Sequence, residues 1–475
     1  MSFLRKFLLL FSLVGLLGCG PQPEVTEVQF SGSLENLPDA AVELDFFRDH
    51  INNDRKIVEL DPDHEGVFNV AFEVPEPVMG TLNAGRSTMQ VYLEPGFAMY
   101  LEGDARRLPQ DAEFEGLGSV ENNFLVAYYD EVESGLGRTF LNEQAGELTP
   151  EEYLDFAART KDIKLNFLSE HPEAHAMSAN FIHFFETRVA YEKYQQLLDY
   201  PSLHQRMNDL DEAPDLPLHY YDFLDDATRF DGDRLNNLTY VNFLLNYLDH
   251  MRETGDRVFA EDKSRHEINY ALAEDHLTGR SKYYIQALSV SRELHSGDID
   301  LALEMYDHFM EHSPVEEYNT RLENAYETLQ GLWAGNPAPD FTMTDLEGNE
   351  FSLSDYHGKV VYLKFWASWC GPCMREVPPA AELKERMAGE DDLVFMYVSI
   401  DVNPDAWQNT IEAHEITGVH ARTPGRERGV PALYNVRWIP TFYLIGRDGN
   451  IYDHRPPNPS DPEIDDVLEA ALRQQ

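Results

Sequence analysis

Apolar and polar residues alternate along the first part of the chain in short runs, over residues 25–30, 41–47, 66–74, 89–93 and 97–101. A run such as Phe68-Asn69-Val70-Ala71-Phe72 turns every second side chain to one face, as a strand half-covered by a core does. Several such strands separated by turn signals predict a small all-β sandwich or barrel over residues 25–115. No His, Asp or Glu cluster there has metal-ligand spacing. Near Val120 the apolar period lengthens to three and four residues. Segments 151–168, 177–198, 235–251, 266–276, 281–295 and 298–310 each carry an apolar stripe, and Pro201, Pro214, Pro217 and Pro314 are expected to punctuate them. Residues 116–334 thus read as an all-α helical domain without a fixed repeat. Its aromatic residues, among them Tyr191, Tyr194, Tyr220 and Tyr221, read as core packing with a wet hydroxyl rather than as a docking surface.

From residue 335 to 475 strands and helices alternate. Segment 360–365 is apolar apart from Lys364, as a buried central strand would be. A helix is predicted to start near Cys370, followed by a strand over 393–400 and a helix over 404–414. Strands over 441–445 and 451–452 flank the Asp448-Gly449 turn, and a final helix covers 461–472. This order predicts one mixed sheet with helices on its faces, an α/β unit closing a multidomain chain.

Charge narrows the class of function. The 475 residues hold 37 basic and 85 acidic side chains, a net charge of −48, which excludes a nucleic-acid binder or a basic membrane-surface protein. Only 10 of the basic residues are Lys. An acid-rich, Lys-poor surface stays hydrated when salt screens charge, which fits a saline habitat as well as an ordinary acidic protein. Residues 335–475 carry 12 basic and 23 acidic residues, net −11, so −37 lies upstream. The acid excess is a property of the surface more than of the C-terminal chemistry.

The first residues have their own pattern. Arg5 and Lys6 precede an apolar run over 7–17, too short to span a bilayer, and then come Leu16-Leu17-Gly18-Cys19. This is the order of a secretory signal, and its last four residues resemble a bacterial lipobox. The resemblance implies cleavage after Gly18 and acylation of Cys19. Several acyl chains anchor a protein stably where one does not. Residues 1–19 are then signal and lipobox, and 20–24, with Pro21 and Pro23, an extended tether.

Three cysteines are present, and the other two sit in Trp369-Cys370-Gly371-Pro372-Cys373, where the buried strand turns into a helix. Unpaired backbone N–H groups at a helix start favour thiolate, which makes Cys370 the expected nucleophile. Cys373, nearly one turn on, is close enough to close a short disulfide with it and to resolve a mixed disulfide. Pro372 suits the first helical turn, where no hydrogen bond is lost. A zinc half-site would need two further ligands, and no second Cys pair exists. An inert structural disulfide on such a turn would be unusual.

The stretch from Val360 through Lys364 and Trp369 to Cys373 resembles the active-site strand and motif of thioredoxin. Ala338-Pro339-Asp340-Phe341 and Glu376-Val377-Pro378 point to the extracytoplasmic TlpA/ResA-like branch, over about 140 residues. The β-type layout upstream, opening on Phe30-Ser31-Gly32, resembles the sandwich that precedes thioredoxin domains in lipoproteins of Bacteroidetes-type bacteria. The resemblance implies a thioredoxin fold over 335–475, with Arg437-Trp438-Ile439-Pro440-Thr441 as the cis-proline loop. In it Trp438, Ile439 and Pro440 would meet a substrate strand. It places Glu376 where relatives carry an acid near the cysteines; there it either raises the thiol pKa and shuttles the Cys373 proton or is simply a surface residue. Lys364 stands where cytoplasmic thioredoxins have a buried Asp. Its amine either reaches the sulfurs and favours thiolate, or pairs with an acid or snorkels outward. A peroxidase of this family would need Thr three residues before the reactive Cys, where Ala367 stands.

The expected protein is an envelope thiol-disulfide oxidoreductase, lipid-anchored through Cys19 and facing the periplasm. Its implied partners are disulfide or dithiol client proteins, apocytochrome c among them, and a membrane electron-transfer reductant; no metal or cofactor is expected. The competing reading is a docking lipoprotein whose upstream domains bind a partner or glycan, with the redox module accessory to it. Cys19→Ala should abolish incorporation of radiolabelled palmitate and release the protein from the membrane fraction; unchanged fractionation would refute the anchor.

Overall fold

The computed structural model describes residues 26–37, 42–227, 232–255, 257–296, 299–425 and 429–474. The signal, the lipobox with Cys19 and the tether lie outside the described residues. Among those described, no helix is long and apolar enough to cross a membrane, and no group of three His, Cys, Asp or Glu side chains is placed to hold a metal.

Among the described residues, eight strands come first: β1 (Glu27–Glu35), β2 (Val42–Asp49), β3 (Asp54–Glu59), β4 (Val67–Glu73), β5 (Val78–Ala84), β6 (Ser87–Leu93), β7 (Ala98–Asp104) and β8 (Glu113–Leu117). They form two four-stranded sheets, ordered β4-β1-β7-β8 and β3-β2-β5-β6, whose inner faces meet as Phe30, Leu44, Leu82, Val91 and Leu101. Strands β3 and β8 are edge strands too polar for an alternating run to reveal.

Among the described residues, ten α-helices follow: α1 (Ser119–Tyr128), α2 (Arg138–Glu147), α3 (Pro150–Glu170), α4 (Ala179–Met207), α5 (Leu224–Ala227), α6 (Leu238–Thr254), α7 (Arg265–His276), α8 (Gly279–Ser296), α9 (Ile299–His312) and α10 (Glu316–Gln330). Helix α3 starts on a capping box between Thr149 and Glu152, with Pro150 in the first turn. Phe124, Phe181, Phe184 and Phe185 from α1 and α4 join the apolar core of the sandwich. Tyr191 and Tyr220 are buried, in keeping with core packing.

Pro201 does not punctuate a helix, contrary to the sequence expectation: α4 runs through it to Met207. A proline inside a helix leaves the carbonyl four residues back without its donor. Here that carbonyl, on Leu197, accepts from the Tyr220 hydroxyl at 3.0 Å, so the helix continues with its acceptor satisfied.

Two consecutive side chains join the sheets to the helices. Asn122 accepts from Tyr92 N at 2.8 Å and donates to Tyr92 O at 3.0 Å, on edge strand β6. Asn123 makes the same pair with Phe114 N and O, both at 2.8 Å, on edge strand β8 of the other sheet. Each amide occupies the place of a neighbouring strand's backbone.

The C-terminal unit contains β9 (Thr342–Thr344), β10 (Glu350–Ser352), β11 (Val360–Trp366), α11 (Gly371–Arg375), α12 (Val377–Arg386), β12 (Leu393–Ser399), α13 (Pro404–Ala413), β13 (Val419–Arg422), α14 (Gly429–Leu433), β14 (Thr441–Ile445), β15 (Ile451–Asp453) and α15 (Ile464–Arg473). Its five-stranded sheet is ordered β13-β12-β11-β14-β15, with β11, β12 and β13 parallel and β14 antiparallel to β11. Every residue of β11 is buried, as its apolar run requires.

Asn122→Ala would leave the Tyr92 amide and carbonyl buried without partners and should cost about 2 kcal/mol, read as a lower urea midpoint by circular dichroism. An unchanged midpoint would show that water replaces the side chain.

Candidate functional site: a disulfide between a helix start and a cis-proline loop

Strand β11 leads through buried Ala367 toward the surface, and the next residues are fixed from below. Asp401, just beyond β12 and only 1% exposed, accepts from Ser368 N at 2.9 Å, Ser368 Oγ at 2.7 Å and Ser399 Oγ at 2.7 Å. Trp369 projects into solvent, 67% exposed.

Cys370 is the N-cap of α11, and the Cys373 backbone N–H donates to its Sγ at 3.1 Å. The two cysteines form a disulfide, buried except for the 5% exposure of Cys370. Gly371 and Pro372 make the first turn, where proline displaces no backbone bond. The helix breaks at Glu376 and resumes as α12 with Pro378 in its first turn, so this proline starts a second helix instead of kinking one.

Facing the disulfide is the loop from Asn435 to Pro440. The Ile439–Pro440 peptide is cis, and the Ile439 carbonyl oxygen lies 3.6 Å from Cys370 Sγ. Trp438, two residues before Pro440, is 37% exposed.

Lys364 neither pairs with an acid nor snorkels. It is 2% exposed beneath the helix start, and its Nζ donates to the Cys373 carbonyl at 3.3 Å. Burial lowers its pKa to about 8, against a smaller upward pull from Glu376. The Glu376 carboxylate itself accepts from Ser460 N at 3.0 Å and Ser460 Oγ at 2.7 Å, which ties it to the segment before α15.

Sequence reasoning did not reach the residues that hold the proline loop. The Asn53 side-chain amide, in the β2–β3 turn, donates to the Arg437 carbonyl at 3.1 Å. His295, in the last turn of α8, packs edge-on against Trp438 with ring centres 5.5 Å apart. Its Nδ1 lies 2.6 Å from the Ser291 carbonyl and its Nε2 3.2 Å from Asn435 Nδ2. A carbonyl needs a donor and an amide NH₂ needs an acceptor, so His295 is neutral with its proton on Nδ1. Burial, helped by Arg437 and Arg455, lowers its pKa to about 4, against the pull of the Ser291 carbonyl. No local pattern marks these residues, because each acts across more than a hundred positions of sequence; the one clue in the chain is that Asn435 and Arg437 flank the proline motif.

A thioredoxin-type α/β sheet with a Cys-Gly-Pro-Cys disulfide at a helix start, opposite a cis-proline, defines the class. Residues 333–468 match the Redoxin family model. The thiol-disulfide oxidoreductase ResA of Geobacillus kaustophilus is 36% identical over 132 residues, covering 28% of this chain and 74% of that protein. ResA of Bacillus cereus is 31% identical over 132 residues, covering 28% of this chain and 75% of that protein. A solved thioredoxin domain of a thiol-disulfide oxidoreductase from Bacteroides vulgatus is 24% identical, covering 30% of this chain and 99% of that one, with a TM-score of 0.28. The chain belongs to the redoxin family, among its ResA-like thiol-disulfide oxidoreductases.

The His295 tautomer is testable. Its ring should stay neutral from pH 8 to pH 5 in an NMR titration, whereas a midpoint near 6.5, the free value, would contradict the contact with Asn435.

Proposed function

We propose that this oxidoreductase is tethered to the bacterial envelope by acylated Cys19, faces the periplasm and reduces disulfides in client proteins, apocytochrome c being one client. In the reduced enzyme, Cys370 thiolate attacks one sulfur of the client disulfide. The client S–S bond breaks, one client thiolate departs and takes a proton, and a mixed disulfide remains. Cys373 thiolate then attacks Cys370 Sγ, the second client thiol is released, and the enzyme disulfide forms. Two electrons have passed to the client, and a membrane electron-transfer protein returns them.

One observation carries this reading: Cys370 Sγ sits at the helix start, 3.1 Å from a backbone N–H and 3.6 Å from the Ile439 carbonyl. The first contact favours thiolate. The second places the attacking sulfur beside exposed main chain, which together with Trp438 and Pro440 would align an extended client. Trp369 adds an apolar contact, and Pro372 keeps the turn short. With a pKa of about 8, Lys364 is mostly charged at pH 7, and its ammonium on the Cys373 carbonyl favours thiolate in that turn. Glu376 stabilises that charge across the α11–α12 break and is available to accept the Cys373 proton.

A share of recognition by the upstream domains is favoured by the contacts of Asn53 and His295 with the loop. They position the loop without touching the sulfurs. His295→Ala should therefore raise KM for a protein client while the rate of insulin reduction changes by less than about twofold.

Cys373→Ser should accumulate mixed disulfides with envelope proteins, and the Cys370–Cys373 potential should lie on the reducing side, near the thioredoxin value of about −270 mV. A potential near −120 mV would assign an oxidising role instead. Lys364→Gln should raise the apparent pKa of Cys370 alkylation by iodoacetamide by about one unit; an identical profile would remove Lys364 from the chemistry.

A further inference from the structure

Behind the disulfide, between β11, β12 and α12, lies a cavity of about 30 Å³ that no step of the redox cycle uses. Four donors line it, beside Thr417 and the exposed His414 and Glu415. Lys364 has one of its three N–H bonds on the Cys373 carbonyl. Lys384 reaches in from α12 and donates to the Thr417 carbonyl and hydroxyl. Trp366 and Tyr397, 1% and 3% exposed, bring an indole Nε1–H and a hydroxyl that have no hydrogen-bond partner. A buried donor left unpaired costs about 1–3 kcal/mol, and two such groups at one small void mark a place built for an acceptor.

The charges point the same way. Among the described residues neither Lys364 nor Lys384 forms a salt bridge with a carboxylate, although both sit against the Tyr397 ring, at 6.0 and 4.7 Å from its centre. Glu376, the acid that acts on Lys364, is hydrogen-bonded to Ser460 instead. Glu415 and His414 line the cavity only from the solvent side. A buried Lys364 beside a half-buried Lys384, neither paired with a carboxylate, is costly, and aromatic faces offset only part of that cost. The volume admits one water-sized guest and is too small for phosphate or sulfate.

We propose that this cavity is a binding site for a single monovalent anion of halide size, held by Lys364, Lys384, the Trp366 indole N–H and the Tyr397 hydroxyl, directly behind Cys373. The site stands apart from the direction of electron flow and from the choice of client. It supplies the acceptor that the Trp366 indole N–H and the Tyr397 hydroxyl lack and offsets one of two positive charges that no carboxylate pairs.

Linkage gives a pH signature. Burial lowers both lysines to about 8, Lys384 with a further push from Lys364 and Lys364 against a pull from Glu376. Of the titratable groups packed against them inside the fold, His420, stacked on Tyr397, is lowered to about 4, and Tyr397 and Tyr362 are raised above the ordinary tyrosine range. A bound anion favours the ammonium forms and raises their pKa. Affinity is therefore full below pH 8 and falls above it, about tenfold per pH unit for each proton lost.

Crystals of the full chain soaked in sodium bromide and measured at the bromine edge should show an anomalous peak within 3.5 Å of Lys364 Nζ and Tyr397 Oη. In solution, ³⁵Cl line broadening by the full chain should be strong at pH 6.5, lost at pH 9.5, and lost at both in Lys384→Gln and in Tyr397→Phe, which keeps the shape of the core. A site that refines as water without anomalous signal, or broadening that survives in folded Tyr397→Phe and Lys384→Gln, would overturn the proposal.

Discussion

Everything the site does depends on where one carbonyl stands. The Ile439 oxygen lies against Cys370 because the loop from Asn435 to Pro440 is held from three directions. Asn53 of the sandwich fixes the Arg437 carbonyl, His295 of the helical domain fixes Asn435 and Trp438, and within the C-terminal domain the Tyr443 hydroxyl donates to the Tyr434 carbonyl at 2.9 Å. The opposite wall is equally determined, since buried Asp401 ties down Ser368 two residues ahead of Cys370. A sulfur and a carbonyl set by rigid partners meet a client with little reorganisation left to make. In this chain the rigidity of the loop originates partly outside the redox domain.

The distribution of charge follows a related economy. The surface is overwhelmingly acidic, while two of the ten lysines are among the most deeply buried residues. Lys164, 3% exposed, donates to Glu192 at 2.8 Å, and Arg188 donates to the same carboxylate at 2.7 Å. Burial pushes the Glu192 carboxyl up, but Arg188 and Lys164 together hold it below the ordinary value. This network of the helical domain thus closes its charge among its own members, in contrast to Lys364 and Lys384. Breaking a buried network of this kind costs far more than losing a surface pair, so it fixes how α3 and α4 register against each other.

Legibility in the sequence tracked the distance over which each residue acts. The buried central strand was readable because all seven of its residues face protein, and the dithiol because its chemistry sits in five consecutive positions. The change from period two to period three and a half located the passage from sheets to helices. Pro201 misled because its local meaning is to stop a helix, while the hydroxyl that rescues it stands nineteen positions further on, at Tyr220. The fate of Lys364 was open for the same reason: nothing nearby in sequence says that a cation will be covered by Phe442 and Tyr397. His295 and Asn53 were invisible, since their partners are 140 and 384 positions away.

The paired asparagines at the start of α1 also bear on how such molecules coexist. A sheet edge presents unpaired amides and carbonyls that a strand from another molecule can adopt. Strands β6 and β8 are the edges that meet α1, and Asn122 and Asn123 claim an amide and carbonyl on each of them. An intruding strand would have to displace both side chains and, with them, the helix that carries them. The sandwich is in this way closed to strand addition along these two edges, so a neighbouring copy cannot extend either sheet at β6 or β8 without unseating α1.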